Sequence, residues 1–177
     1  MSLSDEQLEE RLRMITGSDA GAIEGTSQYT SAYGCWAMKT GRVKDAFKGN
    51  NKTQLGTWLE GFAVQEYEAF SGRKCRMVHR TLRHKKYDFI GGHIDRLVEG
   101  DPNRGVECKA VTSDGMGKWL DEEDNLIVPP YYISQVKHYA LVTGRMTWDF
   151  AAVFTDGRRD PFFKTFEFTK DDVDLYL

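Results

Sequence analysis

Gly92-His93-Ile94-Asp95-Arg96-Leu97-Val98, then a turn from Gly100 to Arg104, then Gly105-Val106-Glu107-Cys108-Lys109-Ala110-Val111: this stretch decides the fold. Gly-Asp-Pro-Asn-Arg is turn chemistry, and the apolar residues on either side suit strands. Ile94–Val98 and Val106–Ala110 are therefore expected to form a hairpin. On adjacent strands Asp95 and Glu107 can face each other. Glu107 and Lys109, two apart on one strand, project from the same face. Two carboxylates and an ammonium then converge at one edge of a sheet.

Upstream, Gln54 to Ser71 carries the spacing of a helix, with Leu55, Leu59, Phe62, Ala63 and Phe70 as its apolar positions and Gly72 to end it. Asn50 to Thr53 reads as a polar turn before it. Ser4 to Met14 reads as a short helix capped by Ser4, with Glu6, Glu9 and Glu10 at its positive end. Thr16 or Ser18 can cap a small helix running to about Glu24. Gly25 to Thr30 is a loop. Ser31 to Thr40 is helical, with Tyr33, Trp36 and Ala37 on one face and Gly41 as its stop. Cys75 to Leu82, Tyr87 to Gly92 and His93 to Val98 read as strand material, with a basic turn at Arg83 to Lys86. Downstream come a long polar loop (Thr112 to Pro130), a helix (Tyr131 to Thr143), strands at Trp148 to Phe154 and Phe162 to Phe168 around a turn, and a short helix from Lys170 to Leu177. Helices followed by a mixed sheet with one inserted helix make an α/β layered domain, and 177 residues suit a single domain over 1–177.

Paired carboxylates beside a lysine suit phosphodiester hydrolysis. Carboxylates are hard oxygen ligands for one or two Mg²⁺ ions, which activate a water and neutralise charge on the phosphate. Lysine can orient or deprotonate that water or stabilise developing charge. The backbone carbonyl of Cys108 lies between the two side chains and is a further oxygen ligand. Charged residues on a solvated strand face produce the same pattern, so other positions must support it. Glu60 lies in the apolar helix at Leu59-Glu60-Gly61-Phe62; it is either a surface glutamate or a third carboxylate for the metals. Gln135 and Tyr139, four apart, share a helix face.

Bulk properties narrow the alternatives. Net charge is −3, which does not mark a protein that coats nucleic acid but is compatible with a basic groove. Cys35, Cys75 and Cys108 are far apart with no CxxC pair, so a zinc ribbon or four-cysteine cluster is unsupported and a reducing compartment is the simple reading. The four histidines lack HExxH-type spacing. The first residues have no apolar signal core, and no stretch approaches the roughly 20 apolar residues of a membrane span. A cytoplasmic location is expected.

Glu60, Gly92-His93-Ile94-Asp95, Glu107-Cys108-Lys109 and Gln135-Val136-Lys137-His138-Tyr139, in that order, resemble the successive motifs of the PD-(D/E)XK nuclease superfamily. Within it they resemble the YqaJ-like viral recombinases, the lambda-type exonucleases. Arg11-Leu12-Arg13-Met14-Ile15-Thr16-Gly17-Ser18-Asp19 is similar to that branch's opening segment, and Thr30 to Gly41 to its second helix; the likeness spans about residues 11 to 145. Ile94 stands where the superfamily's name expects proline, and His93 where a small polar residue can contact phosphate. The resemblance implies a restriction-endonuclease-like core with a mixed sheet flanked by helices. It implies a Mg²⁺-dependent exonuclease, with Mn²⁺ as a substitute, that degrades linear double-stranded DNA from 5′ ends. Such an enzyme leaves 3′ single strands for an annealing protein in phage-type recombination inside a bacterial host. Members commonly form a ring-shaped homotrimer. By motif, Glu60, Asp95 and Glu107 would bind metal, Lys109 would assist the attacking water, Arg11 and Ser18 would hold a 5′-phosphate, and Gln135 would contact the phosphate region.

Other features carry two readings. Ser18 can be only a helix cap, and Arg11 and Arg13 only solvated residues. Arg73, Lys74, Arg76, Arg80, Arg83, Lys85 and Lys86, with His79 and His84, can be edge residues that discourage aggregation. They can equally be a phosphate-tracking wall of a DNA groove, the reading favoured by their position beside the hairpin. Trp119 with Met116 can form a mobile loop that wedges a duplex end, or be merely exposed. Asp121 to Asp124 reads as a solvated loop. Outside the exonuclease reading stand an endonuclease or repair nuclease of the same superfamily, and an inert DNA-binding module.

Overall fold

The computed structural model describes residues 5–43 and 51–174, with backbone alone for residues 5–8, 51–55 and 57. Ser4, Asn50 and the end of the last helix lie outside the described residues, as do the side chains of Glu6 and Leu55. Helices α1 (Asp5–Leu12), α2 (Gly17–Ile23), α3 (Ala32–Lys39) and α4 (Asn51–Ser71) precede the sheet. Then come β1 (Cys75–Met77), β2 (Leu82–Arg83), β3 (Gly91–Gly92), β4 (Arg96–Val98) and β5 (Arg104–Val111). A 3-10 turn at Ser113–Trp119, α5 (Pro130–Thr143), β6 (Thr147–Phe154), β7 (Phe162–Glu167) and α6 (Lys170–Asp174) complete the chain.

The central sheet has the order β1-β4-β5-β6-β7, with β2 and β3 as a separate two-stranded ladder. β5 runs parallel to β6 from Arg104↔Thr147 to Val111↔Phe154, and the other pairings are antiparallel. Parallel neighbours need a crossover, and α5 supplies it. Alternation along β6 divides the core in two. Trp148, Phe150 and Ala152 pack toward α5 with Val136, Tyr139 and Ala140. Ala151 and Val153 join Val106, Cys108, Ala63 and Tyr67 under α4. β6 is buried on both faces, which is why it reads as an unbroken apolar run.

The α4 layer is fastened by a buried polar cluster. Asp149 is 4% exposed. Its Oδ1 and Oδ2 accept from Arg104 Nη1 at 2.8 and 2.9 Å, from Thr165 Oγ1 at 2.6 Å and from Tyr67 Oη at 2.5 Å. The cluster ties β5, β6, β7 and α4 together, and burial followed by the Asp149 hydrogen bond holds the Tyr67 hydroxyl far above the ordinary tyrosine range.

Several local expectations need correction. The polar turn at Asn50–Thr53 is helical from Asn51 onward, because α4 starts there. Strand from Cys75 to Leu82 shrinks to β1 and the start of β2, and Tyr87–Val98 holds only the short β3 and β4. On α3 the buried residues are Cys35 and Ala37, while Tyr33 and Trp36 point outward. On α4 Phe62 and Phe70 are exposed, and Ala63 and Tyr67 make the core face. Thr112–Pro130 is no featureless loop: its 3-10 turn buries Met116 and Trp119, which rules out a mobile Trp119 wedge. Among the described residues no helix is long and apolar enough to cross a membrane.

Candidate active site

The site lies where β4 parts from β5. β4 pairs with β5 only at Arg96↔Val106 and Leu97↔Gly105. The residue before β4, Asp95, takes over from the ladder: its Oδ2 accepts the Cys108 N–H at 2.9 Å. In a strand the N–H and C=O of one residue point to the same side. The Cys108 carbonyl therefore points toward the Asp95 side as well, past the end of the β4 pairing.

Glu107 and Lys109 alternate with buried Val106 and Cys108, so their side chains face the α5 layer. Glu107 is 1% exposed. Its Oε1 accepts from Lys109 Nζ and, at 2.7 Å, from Gln135 Nε2. Gln135 Nε2 also meets the Tyr139 hydroxyl at 2.7 Å. The other carboxyl oxygen, Oε2, is buried with no hydrogen-bond partner. Burial first, then the Asp95 charge, push the Glu107 carboxyl up to about 8, against the pull of Lys109. Burial opposes the Lys109 charge, but Glu107, Tyr132 and Asp95 outweigh it and hold the ammonium above the usual lysine range.

An orphaned buried acceptor on Glu107, with the Asp95 charge acting on the same carboxyl, fits a divalent cation. A hard oxygen set of Asp95, Glu107 and the Cys108 carbonyl suits Mg²⁺ or Mn²⁺. Glu60 is not gathered onto the same point. It sits on α4, with Oε1 3.1 Å from Arg96 Nη1. Burial and then Asp95 push its carboxyl above the usual range, so Asp95 lies near it. Among the described residues no group of three or more His, Cys, Asp or Glu side chains closes tightly enough to hold an ion.

The N-terminal segment is brought to the same place. Ile15 pairs with Ile90 in an isolated bridge. Thr16 caps α2, its N–H donating to Asp19 Oδ2 at 2.8 Å. Arg11 Nη2 donates to Ser18 Oγ at 2.5 Å, so those two residues do meet at the start of α2. Gly17 lets α2 approach α5: a Cβ there would lie 2.5 Å from Tyr139 Cε1 and 3.1 Å from Gln135 Cγ. Tyr139 is 4% exposed and cannot swing clear. Gly17→Ala is expected to cost about 1–3 kcal/mol by overpacking and to disturb Gln135; urea unfolding measures the first, and an unchanged midpoint would contradict this account. His93 is part-buried, its Nε2 3.5 Å from Thr81 Oγ1, and burial lowers its pKa.

The basic cluster is only partly free. Arg83 pairs with Glu10 at 2.5 Å and Lys74 with Glu68 at 2.8 Å. Arg73, Arg76, Arg80, Lys85 and Lys86 are exposed. One residue escaped sequence reasoning altogether: the Tyr132 ring lies 4.6 Å from Lys109 Nζ and backs the ammonium. Its position three before Gln135 on α5 was the available signal.

A five-stranded mixed sheet between helical layers, with a carboxylate pair and lysine where two strands part, defines the fold class of the PD-(D/E)XK nucleases. The chain belongs to the family of the YqaJ-like viral recombinase domain, whose family model matches residues 6–146. The uncharacterized protein YqaJ of Bacillus subtilis (strain 168) is 36% identical over 140 residues, 79% of this chain and 42% of that protein. The chain thus spans less than half the length of that relative. Among solved structures, LHK-Exo in complex with dAMP has a TM-score of 0.76 at 20% identity, covering 98% of this chain and 87% of the other. The alkaline exonuclease LHK-Exo from Laribacter hongkongensis gives 0.73 at 20%, with 98% and 90% covered. A phage-related exonuclease from Haemophilus somnus 129PT gives 0.68 at 15%, with 92% and 88% covered. At these identities the likeness to the solved structures is one of fold, and it bears out the expected architecture.

Proposed function

We propose that this chain is a Mg²⁺-dependent deoxyribonuclease that degrades linear duplex DNA from 5′ ends, leaving 3′ single strands for an annealing protein. The observation that carries the reading is the Asp95–Glu107 pair, with its orphaned oxygen, beside the Lys109 ammonium. Asp95, Glu107 and the Cys108 carbonyl would hold the metal, with Glu60 on its outer side. A bound divalent ion supplies a nucleophilic water at neutral pH and neutralises charge on the phosphate. Lys109, fixed between Glu107 and the Tyr132 ring, orients the attacking water and meets developing negative charge with a positive one. Gln135, held by Glu107 and Tyr139, keeps an amide group at the phosphate. Arg11 and Ser18, at the positive end of α2, would receive a terminal 5′-phosphate. The exposed members of the Arg73–Lys86 cluster would track the backbone with salt-dependent affinity.

The test is digestion with Mg²⁺ of linear and covalently closed circular duplex. Linear DNA is expected to be consumed and the circle spared; cutting of the circle would replace the exonuclease reading with an endonuclease. Linear DNA with 5′-phosphate ends is expected to be degraded faster than DNA with 5′-hydroxyl ends, and Arg11→Ala to erase that difference. Equal rates in the unaltered protein would remove the proposed pocket.

A further inference from the structure

Helix α3 turns aromatic rings outward beside the candidate end pocket. Tyr33 is 74% exposed and Trp36 44%. Their ring centroids are 5.4 Å apart at an interplanar angle of 36°. The Arg42 guanidinium lies 4.3 Å from the Trp36 ring centroid. The buried residues of the helix are Cys35 and Ala37, while both rings are left to solvent.

Position adds to composition. Lys39 at the end of α3 bonds Asp19 at 2.6 Å and the Arg11 carbonyl at 2.8 Å. The platform is thereby fastened to the two segments that carry Arg11 and Ser18. Ala32–Lys39 contains no acidic residue. Paired rings with a guanidinium alongside match a ligand that has flat π faces and a negative backbone, and every nucleobase offers such a face regardless of sequence.

We propose that Tyr33, Trp36 and Arg42 form a stacking site for unpaired nucleobases of a nucleic-acid strand entering or leaving the end pocket. The identity of that strand rests on the nuclease reading above. A second copy of this chain is the competing occupant, but an apolar self-contact gives no use to the guanidinium beside Trp36.

The experiment measures binding without cutting. Fluorescence anisotropy in EDTA compares duplexes with a 3′ overhang of unpaired nucleotides against blunt duplexes of the same length. Trp36→Ala and Tyr33→Ala are expected to weaken overhang binding roughly tenfold and blunt binding by less than about twofold, and Trp36→Phe to stay within about threefold of the unaltered protein. Overhang affinity unchanged in Trp36→Ala overturns the site. So does an altered oligomeric state in Trp36→Ala with DNA affinity unchanged, because a second copy then covers the rings. Cleavage is scored separately with Mg²⁺. Tight overhang binding that depends on Trp36, with no digestion of linear DNA, sinks the nuclease reading and leaves the stacking site standing. Digestion with no Trp36 dependence of binding sinks the stacking site alone.

Discussion

Glu107→Gln is expected to lower Mg²⁺-dependent DNA degradation roughly a thousandfold while the metal-free protein becomes more stable at pH 8. The two effects share one cause. Glu107 is buried, has one oxygen without a donor and faces a second carboxyl. Its folded pKa of about 8 exceeds an unfolded value near 4.3, so the folded protein binds the proton more tightly. The stability this group contributes is fully present below about pH 4.3 and is lost as pH rises toward the folded value. Glutamine removes the titration, still accepts from Lys109 and Gln135, and flattens the pH profile. Mg²⁺ is expected to raise the melting temperature of the unaltered protein, by the equivalent of about 2.7 kcal/mol at a hundred times its dissociation constant, and not that of Glu107→Gln. Thermal melts between pH 5 and 8 with and without Mg²⁺, together with digestion assays, decide it. Retained digestion would end the assignment of Glu107, and a wild-type melt that does not fall with pH would end the account of its burial.

The largest loss of stability is expected at Asp149→Leu, far from any proposed chemistry. Three donors converge on this carboxylate from β5, α4 and β7. Leucine fills much of the volume but leaves the Arg104 guanidinium, 16% exposed, without its buried counterion. Breaking one side of such a pair costs about 3–5 kcal/mol, or roughly 10 °C in melting temperature for a chain of this size. Arg104 keeps a second contact to Asp101 at 3.2 Å, which limits the loss. A double change, Asp149→Leu with Arg104→Met, is expected to recover much of it; recovery absent in denaturant melts would show that the ion pair is not the source.

The hairpin was legible because its turn chemistry and strand alternation agree, and those two facts alone bring Asp95 opposite Glu107. The helix with Gln135 and Tyr139 was legible by its period, although nothing in a sequence says that Gln135 reaches Glu107 across 28 positions. Periodicity names a helix face without saying which of its residues meets the core: of Tyr33, Trp36 and Ala37 on one face of α3, only Ala37 is buried. Gly17 looked like part of a motif, but its reason is a contact with a ring far along the chain. The Arg104–Asp149 pair and the Tyr132–Lys109 contact join residues on different elements, where no spacing rule applies. Trp119 was misread because glycines and acids surround it, whereas its burial comes from Tyr132, Phe154 and Phe162.

The parallel pairing of β5 with β6 also bears on the order in which the molecule comes together. β4 and β5 are joined by a short turn, so Asp95 and Glu107 can meet after a local loop closure. The partner strand β6 arrives only after α5 has crossed over, a longer search with a larger entropic barrier. The half of the site that would grip a cation is thus assembled from neighbouring chain, early. The half that would grip a phosphate, Gln135 with Tyr139 and Gly17, waits for the sheet to widen. A cation present during folding would stabilise the first half before the second exists.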